Sequence, residues 1–302
     1  MSYLFPLKGL VAAAYTPMNK DESVALDVIG KLVEYSIEKK IAGLFAVGST
    51  GEFCSLTMDE RKAVAREYVK TAAGRIPIIV NVASCCQQDA VELAEAAVAD
   101  GADAVCGLAP FYFCPDNNRA LVDFLKPVAE AADGRPFFLY HAPGITGYTA
   151  SVPEFVKIAS GEIPNFAGVK YTNMNLFEYQ QAVNVNPDVQ ILFGKDEMIL
   201  GALAMGAEAG IGTTFNYLPK IYHGVIDNFR KGDMAEARRY MDLSQKAVAI
   251  SGKYGLETIK VFMKFAGIDV GPMRSPVTHM TREQEYAFRK DLSEAGLDDY
   301  IG

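Results

Sequence analysis

An alternation of short apolar runs with longer amphipathic segments is the feature that most constrains the fold of this chain. Eight such runs precede residue 215, and no linker or low-complexity stretch interrupts them. They cover residues 9–14, 43–48, 76–83, 102–109, 136–142, 166–170, 189–194 and 209–213. Short runs that are apolar throughout are typical of strands in a parallel sheet that is buried on both faces.

The segments between these runs predict helices over residues 24–40, 58–73, 87–100, 118–132, 152–160, 176–185 and 197–205. Eight strand-helix units in this order predict a (β/α)8 barrel, the TIM barrel fold. An open doubly wound sheet is the alternative. It would normally bind a nucleotide at a glycine-rich first turn, and the first turn here, Tyr15-Thr16-Pro17, lacks that motif.

After the eighth run only helical patterns follow, over residues 220–230, 235–251, 255–266 and 282–295. We therefore expect a barrel over residues 1–218 and a C-terminal helical extension over residues 219–302 that packs on it.

The composition narrows the range of partners. A net charge of −8 without Lys/Arg blocks argues against nucleic acid or an anionic membrane as a partner, while an anionic small substrate stays possible. No leader pattern and no apolar stretch of roughly 20 residues is found, so we expect a cytoplasmic protein.

The histidines and cysteines of the sequence do not form a recognisable metal-binding motif. Three widely spaced histidines and five cysteines without paired-ligand spacing favour chemistry without a metal. We expect reduced and mostly buried thiols.

Lys170 closes the sixth run, at the end of the strand where the active sites of such barrels lie. Burial in an apolar pocket lowers the pKa of an amine from its usual value of about 10.4, and a neutral amine can attack a carbonyl carbon. The pattern indicates Schiff-base chemistry at Lys170. A lysine whose ammonium group reaches solvent beyond the strand is the alternative.

The second run leads into the turn Gly48-Ser49-Thr50-Gly51-Glu52. Its two glycines would let backbone N–H groups and two hydroxyls converge on an anion such as a carboxylate. An ordinary turn in which Ser49 or Thr50 caps a helix is the alternative.

The fifth run ends in Tyr140 and His141, which alternation places on opposite faces of the strand. Tyr140 would face the barrel interior, either to relay protons or as a core tyrosine, and His141 would face the helices. The seventh run ends in Gly194-Lys195-Asp196-Glu197, whose carboxylates suit a polyhydroxylated ligand or simply a helix N-terminus.

Four motifs together resemble the pyruvate-dependent class I aldolases, the family that includes dihydrodipicolinate synthase and N-acetylneuraminate lyase. They are residues 48–52, Tyr140 ahead of Pro143, residues 168–170 and residues 210–214. The resemblance covers essentially the whole chain. It implies a barrel enzyme that forms a covalent imine at Lys170, without a metal or another cofactor, and that assembles as a homotetramer.

Within the family the chain looks like the lyase branch, whose members cleave N-acetylneuraminate, a sialic acid, to N-acetylmannosamine and pyruvate. The synthases carry an arginine a few residues after the tyrosine, where this chain has Ile145. The lyases have Asp-Glu at the position of Asp196 and Glu197. Thr213 stands where they usually have serine, which would alter the preference for the acyl-amino or glycerol end of the sugar.

The resemblance also implies the role of each site residue. Lys170 would attack the ketone, and Tyr140 would move the proton of the C4 hydroxyl. The remaining substrate-binding residues would be Ser49, Thr50, Thr172, Gly194, Asp196, Glu197 and Thr213. Tyr112 would reach the site of a neighbouring subunit and assist proton relay, or would be an interface aromatic without chemistry.

Three other functions remain open. The chain could act on another 2-keto-3-deoxy sugar acid, or it could be a dihydrodipicolinate synthase, which Ile145 disfavours. It could also be a barrel that binds a keto acid without catalysis, because a fold alone does not establish an activity.

Overall fold

In a computed structural model that describes residues 3–302, eight parallel strands form a closed barrel. The strands are β1 Gly9–Ala13, β2 Gly43–Ala46, β3 Ile78–Asn81, β4 Ala104–Leu108, β5 Phe137–His141, β6 Phe166–Tyr171, β7 Gln190–Phe193 and β8 Ala209–Gly212. Each lies within its predicted run, except that β6 extends one residue further. The predicted (β/α)8 barrel is confirmed.

The helices are α1 Ile29–Glu38, α2 Met58–Ala72, α3 Gln87–Ala99, α4 Asn118–Glu130, α5 Pro143–Thr146, α6 Val152–Glu162, α7 Leu176–Val185, α8 Ile199–Ala204, α9 Pro219–Lys231, α10 Met234–Ser251, α11 Thr258–Phe265 and α12 Arg282–Glu294. The sequence predicts all of them except the single turn α5.

Strand pairing closes the sheet and excludes the open alternative. Val11 of β1 is aligned with Gly43 of β2 on one side and with Ile211 of β8 on the other. Apart from Gly9, every strand residue is buried. This is the burial expected when helices cover the outside of a barrel whose interior is filled by side chains.

The predicted first helix begins too early, because residues 18–25 form a different local structure. Met18 and Val24 make an antiparallel bridge, and the Ala25 N–H donates to the Pro17 carbonyl at 2.8 Å. These bonds use backbone groups that a helix would need, so α1 begins only at Ile29.

The expectation of mostly buried thiols is wrong. All five cysteines are free, and Cys106 of β4 is buried, but the other four are exposed: Cys54, Cys85, Cys86 and Cys114. The exposed thiols lie in the segments that follow strands, which pack less densely than the strands themselves.

The C-terminal helices contact the barrel through aromatic rings. Tyr217, which follows β8, stacks on Phe262 of α11 with a centroid separation of 4.3 Å. Phe262 in turn meets Phe288 of α12 edge to face at 5.0 Å. The division of the chain at residue 218 stays a prediction. Within residues 3–302, no helix combines the length and apolarity required to cross a membrane.

Candidate active site

Lys170 lies inside the barrel with its side-chain nitrogen between two aromatic rings. The nitrogen is 3.9 Å from the centroid of the Tyr140 ring and 4.1 Å from that of Phe45, and the residue is 4% exposed. Strand register explains the first contact, because Lys170 of β6 is aligned with Tyr140 of β5. The rings attract a cation and exclude water from the amine.

The Tyr140 hydroxyl reaches the turn after β2. It lies 3.3 Å from Ser49 Oγ, within hydrogen-bond reach. The Tyr140 ring also meets Phe45 edge to face at 5.8 Å. Phe45 is an active-site residue that sequence reasoning missed, since an apolar residue inside a strand reads as ordinary core.

The turn of residues 48–52, here called the 48–52 turn, is built on unusual backbone angles. Val47, just before it, has a φ of 55°, which a β-branched residue rarely adopts. Asn81 at the end of β3 donates to the Val47 carbonyl at 2.8 Å and so holds this conformation. A Cβ on Gly48 would lie 2.5 Å from the Phe45 ring, so only glycine fits there.

Two predicted residues from distant segments meet at the barrel rim. Thr50 Oγ1 and Thr213 Oγ1 are 2.6 Å apart, which joins the 48–52 turn to the end of β8. Thr50 is buried, so its hydroxyl lies beside the interior rather than in solvent. Ser49, Thr50, Tyr140, Lys170 and Thr213 therefore form one connected cluster.

Thr172 and Gly194 form a second close contact. Among residues 3–302, Thr172 Oγ1 has no hydrogen-bond partner although it is buried. A Cβ on Gly194 would lie 2.1 Å from that oxygen, so Gly194 lets the β7 end approach Thr172.

The Asp196 carboxylate is engaged within the protein. Its Oδ2 accepts hydrogen bonds from the Thr214 N–H at 2.8 Å and the Thr214 hydroxyl at 2.6 Å. A Cβ on Gly212 would overlap the carboxylate at 2.3 Å. Burial raises the pKa of Asp196 to about 6, against the lowering effect of the Thr214 bonds. Thr214 is the last residue of the 210–214 motif, but its hydrogen bonds to Asp196 were not predicted.

Among the predicted site residues, Ser49 and Tyr112 are exposed and Glu197 is half-buried. The Glu197 carboxylate pairs with Lys195 at 3.4 Å, and its backbone carbonyl accepts from Gln245 of α10. Tyr112, in the loop between β4 and α4, is 81% exposed and meets Phe113 edge to face at 5.0 Å. Tyr112 is therefore a surface residue of the single chain.

His141 lies on the outer side of β5, opposite Tyr140 in the strand alternation. Its ring stacks on Tyr171 with centroids 5.5 Å apart. Burial lowers the pKa of His141 to about 4, so the imidazole is neutral at pH 7. Within the described part of the chain, no three His, Cys, Asp or Glu side chains are grouped closely enough to hold a metal ion.

A family model and individual related proteins match most of the chain. The model of the dihydrodipicolinate synthetase family matches residues 6–295. The N-acetylneuraminate lyase of Xenopus tropicalis is 38% identical over 276 residues, which is 90% of this chain and 90% of that protein. The N-acetylneuraminate lyase of Mus musculus is 36% identical over 299 residues, which is 97% of this chain and 93% of that protein.

The solved structure of Proteus mirabilis N-acetylneuraminate lyase superposes with a TM-score of 0.93 at 31% identity. The match covers 96% of this chain and 98% of that one. The similarity therefore extends over the barrel and the helices that follow it.

Proposed function

The chain belongs to the dihydrodipicolinate synthetase family, and from that premise we propose that it cleaves N-acetylneuraminate reversibly to N-acetylmannosamine and pyruvate. It is a carbon-carbon lyase of the class I aldolase type. The substrate follows from the relatives named above, and the chemistry follows from the residues around Lys170.

The observation that carries the proposal is the buried amine of Lys170, held between the rings of Tyr140 and Phe45. A buried amine at the C-terminal end of a barrel strand supports the proposed role of Lys170 as a nucleophile toward a carbonyl group. The nearby hydroxyls of Tyr140 and Ser49 supply groups that can move protons.

The reaction begins when the Lys170 amine attacks the C2 ketone of the open-chain sugar acid. Loss of water from the carbinolamine gives a protonated imine. The C3–C4 bond then breaks, and its electron pair moves into the imine to give an enamine, while the C4 hydroxyl loses its proton and becomes the aldehyde of N-acetylmannosamine. Protonation of the enamine at C3 and hydrolysis release pyruvate and restore Lys170. The imine is the electron sink, so the cleavage uses no further cofactor.

Tyr140 is proposed to move the proton of the C4 hydroxyl and to serve carbinolamine formation. A free phenol, with a pKa near 10, is a weak base, so the substrate carboxylate or a hydroxyl must assist. Ser49, 3.3 Å from the phenol oxygen, supports such a relay. Ser49 and Thr50 are also proposed to bind the carboxylate with hydroxyl and backbone donors.

The other end of the substrate is proposed to lie along β6, β7 and β8. The unpartnered Thr172 hydroxyl supports a role beside the imine, because a buried hydroxyl gains by meeting a substrate group. Glu197 and Thr213 are proposed to bind the sugar hydroxyls, with Gly194 allowing close backbone approach. Asp196 joins them through the carboxylate oxygen that Thr214 does not bind.

The protein is proposed to be a homotetramer in the cytoplasm, with no nucleic acid or membrane partner. The exposed ring of Tyr112 supports the assembly of subunits, because a neighbouring subunit would cover the ring and the ring would reach that subunit's site. The pyruvate and sugar acid are the only small-molecule partners proposed.

A substrate panel tests the proposal. We expect pyruvate release from N-acetylneuraminate to exceed that from other 2-keto-3-deoxy sugar acids. A preference for another sugar acid would assign the chain to a sister aldolase. Condensation of pyruvate with aspartate semialdehyde would assign it to the synthases, and loss of all turnover despite imine formation would indicate a keto-acid binding protein.

A further inference from the structure

Glu52, the last residue of the 48–52 turn, is held in a buried and conformationally costly position. Its φ is 57°, in the left-handed region that residues with a side chain rarely occupy. Its backbone N–H closes the turn by donating to the Ser49 carbonyl at 3.0 Å. Its conformation therefore helps to determine where the hydroxyls of Ser49 and Thr50 lie.

The Glu52 carboxylate meets a lysine that comes from α11, more than 200 residues later in the chain. Lys260 Nζ lies 2.6 Å from Glu52 Oε1, and the two side chains are 1% and 3% exposed. Removal of either partner of an ion pair this deeply buried would leave an uncompensated charge away from water.

Two of the three contacts described for the Lys260 ammonium group join α11 to segments that follow barrel strands. Besides Glu52, it donates to the carbonyl of Thr16, which follows β1, at 3.0 Å and to the Pro272 carbonyl at 2.7 Å. The Thr16 hydroxyl in turn donates to the Gly51 carbonyl at 2.7 Å. The 48–52 turn is therefore tied to the segment after β1 both directly and through Lys260.

The other oxygen of Glu52 is also engaged by the C-terminal part of the chain. Glu52 Oε2 accepts from the Arg274 backbone N–H at 2.7 Å. The Arg274 side chain then makes two bonds of 2.8 Å to Glu60, near the start of α2. Arg274 therefore forms hydrogen bonds to both the 48–52 turn and α2.

We propose that Lys260 and Glu52 are positioning residues that hold the 48–52 turn in the shape that binds the pyruvyl carboxylate. The C-terminal helices then do more than cover the barrel, because one of their side chains determines the geometry of the anion site. This inference rests on the proposed function, since it assumes that the turn binds the carboxylate of pyruvate.

The physical reason is the cost of the left-handed conformation at Glu52. A residue with a side chain is destabilised in that region, because its Cβ comes too close to the following carbonyl oxygen. The ion pair and the Arg274 bond oppose this cost in the folded protein. Without them, Glu52 relaxes toward an ordinary conformation, and Ser49 and Thr50 move away from the carboxylate.

The test compares K260M with K264M. Lys264 lies on the same helix and pairs with Glu285 at 2.7 Å, but it is 45% exposed, so the same substitution there removes only a surface ion pair. The probe is pyruvate, trapped on the folded proteins by borohydride reduction and quantified by mass spectrometry at increasing pyruvate concentration. Thermal unfolding of each protein is recorded alongside.

For K260M we expect the half-saturating pyruvate concentration to rise by about tenfold, the size of a lost charge-assisted hydrogen bond, with less than about threefold change in trapping rate at saturation. K264M is expected to match the unmodified protein. A K260M protein that is less stable but has unchanged half-saturation would overturn the proposal, because Lys260 would then be merely structural.

E52Q decides the matter if K260M does not fold. It keeps one side-chain oxygen for the Lys260 ammonium group, but it removes the charge and places an NH2 group against the Arg274 N–H, so half-saturation is again expected to rise. An unchanged value for folded E52Q contradicts the proposal. Absence of trapping in the unmodified protein would instead refute the proposed function, so the two failures are distinguishable.

Discussion

Lys170 and Tyr140 occupy aligned positions on the neighbouring strands β6 and β5, and the lysine nitrogen lies 3.9 Å from the centroid of the tyrosine ring. The tyrosine hydroxyl lies within hydrogen-bond reach of Ser49 Oγ, at 3.3 Å. One side chain therefore has two separate effects. Its ring shields the amine from water, and its hydroxyl is available for proton transfer.

This separation predicts that Y140F loses catalysis without losing the site's packing. The ring contacts with Lys170 and Phe45 remain, while the hydroxyl is removed. We expect kcat to fall by about 10²–10⁴, the usual contribution of a positioned acid or base, with a small change in KM. Y171F is the matched control, because the Tyr171 hydroxyl bonds Glu178 outside the barrel interior. It should lower thermal stability but leave kcat within about twofold.

The strand pattern explains how much of the site was predictable. Strand counting and alternation placed Lys170 and Tyr140 at the same end of neighbouring strands, because each run is short and uniformly apolar. The contacts of Phe45 and Lys260 were not predictable. They depend on how the barrel closes and on where α11 docks, and neither is encoded in local periodicity.

The environments of the residues proposed to bind the sugar hydroxyls were also not predictable from the sequence. The adjacent carboxylates of Asp196 and Glu197 were visible as a motif, yet their environments differ. Asp196 is buried against Thr214, whereas Glu197 pairs with Lys195 near the surface. Local sequence gives the residue types, and only the packing of β8 against the segment after β7 separates the two environments.

Glu197 is predicted to recognise the glycerol end of the sugar. E197Q should lower kcat/KM for the full-length sugar acid by about tenfold, the size of a lost hydrogen bond to a charged group, and should affect truncated sugars less. K195M is the control, since it removes the partner of the ion pair but keeps the carboxylate. Equal efficiency of E197Q on long and truncated substrates would show that Glu197 does not select for this end.

The raised pKa of Asp196 predicts a pH dependence of stability. The pKa is about 6 in the folded protein and near 3.8 in the unfolded chain, so the folded state binds more protons between pH 4 and 6. The contribution of Asp196 to stability is therefore largest below pH 4 and is lost as the pH rises through 6.

Urea unfolding of the unmodified protein and D196N at several pH values tests this dependence. The free energy of unfolding of the unmodified protein, relative to D196N, should fall by about 2 kcal/mol from pH 4 to pH 6.5. D242N, which removes a carboxylate from an exposed ion pair with Lys246, controls for the loss of a charge. A difference that does not change with pH would contradict the assignment.

Gly194 is predicted to be required for the position of Thr172. In G194A the new Cβ would lie 2.1 Å from Thr172 Oγ1, so the threonine must move. We expect a higher KM for the sugar acid and a loss of about 1–3 kcal/mol in stability, the usual cost of overpacking.

G161A is the matched control for this substitution. Gly161 lies in α6, and a Cβ added there would meet no atom within 4 Å, so alanine should be neutral or stabilise by up to about 1 kcal/mol. G194A/T172A removes the clashing oxygen but keeps the Thr172 Cβ and Tyr171 carbonyl contacts at 3.1 Å, so it should recover part of the lost stability. If G194A behaved like G161A, the close approach would have no role in the site.

Imine formation at Lys170 is tested most directly by borohydride reduction of the protein in the presence of pyruvate, followed by mass mapping of the modified residue. We expect a single reduced pyruvate adduct on Lys170, dependent on pyruvate and absent from K170M. An adduct on another residue, or no adduct at all, would contradict the imine mechanism.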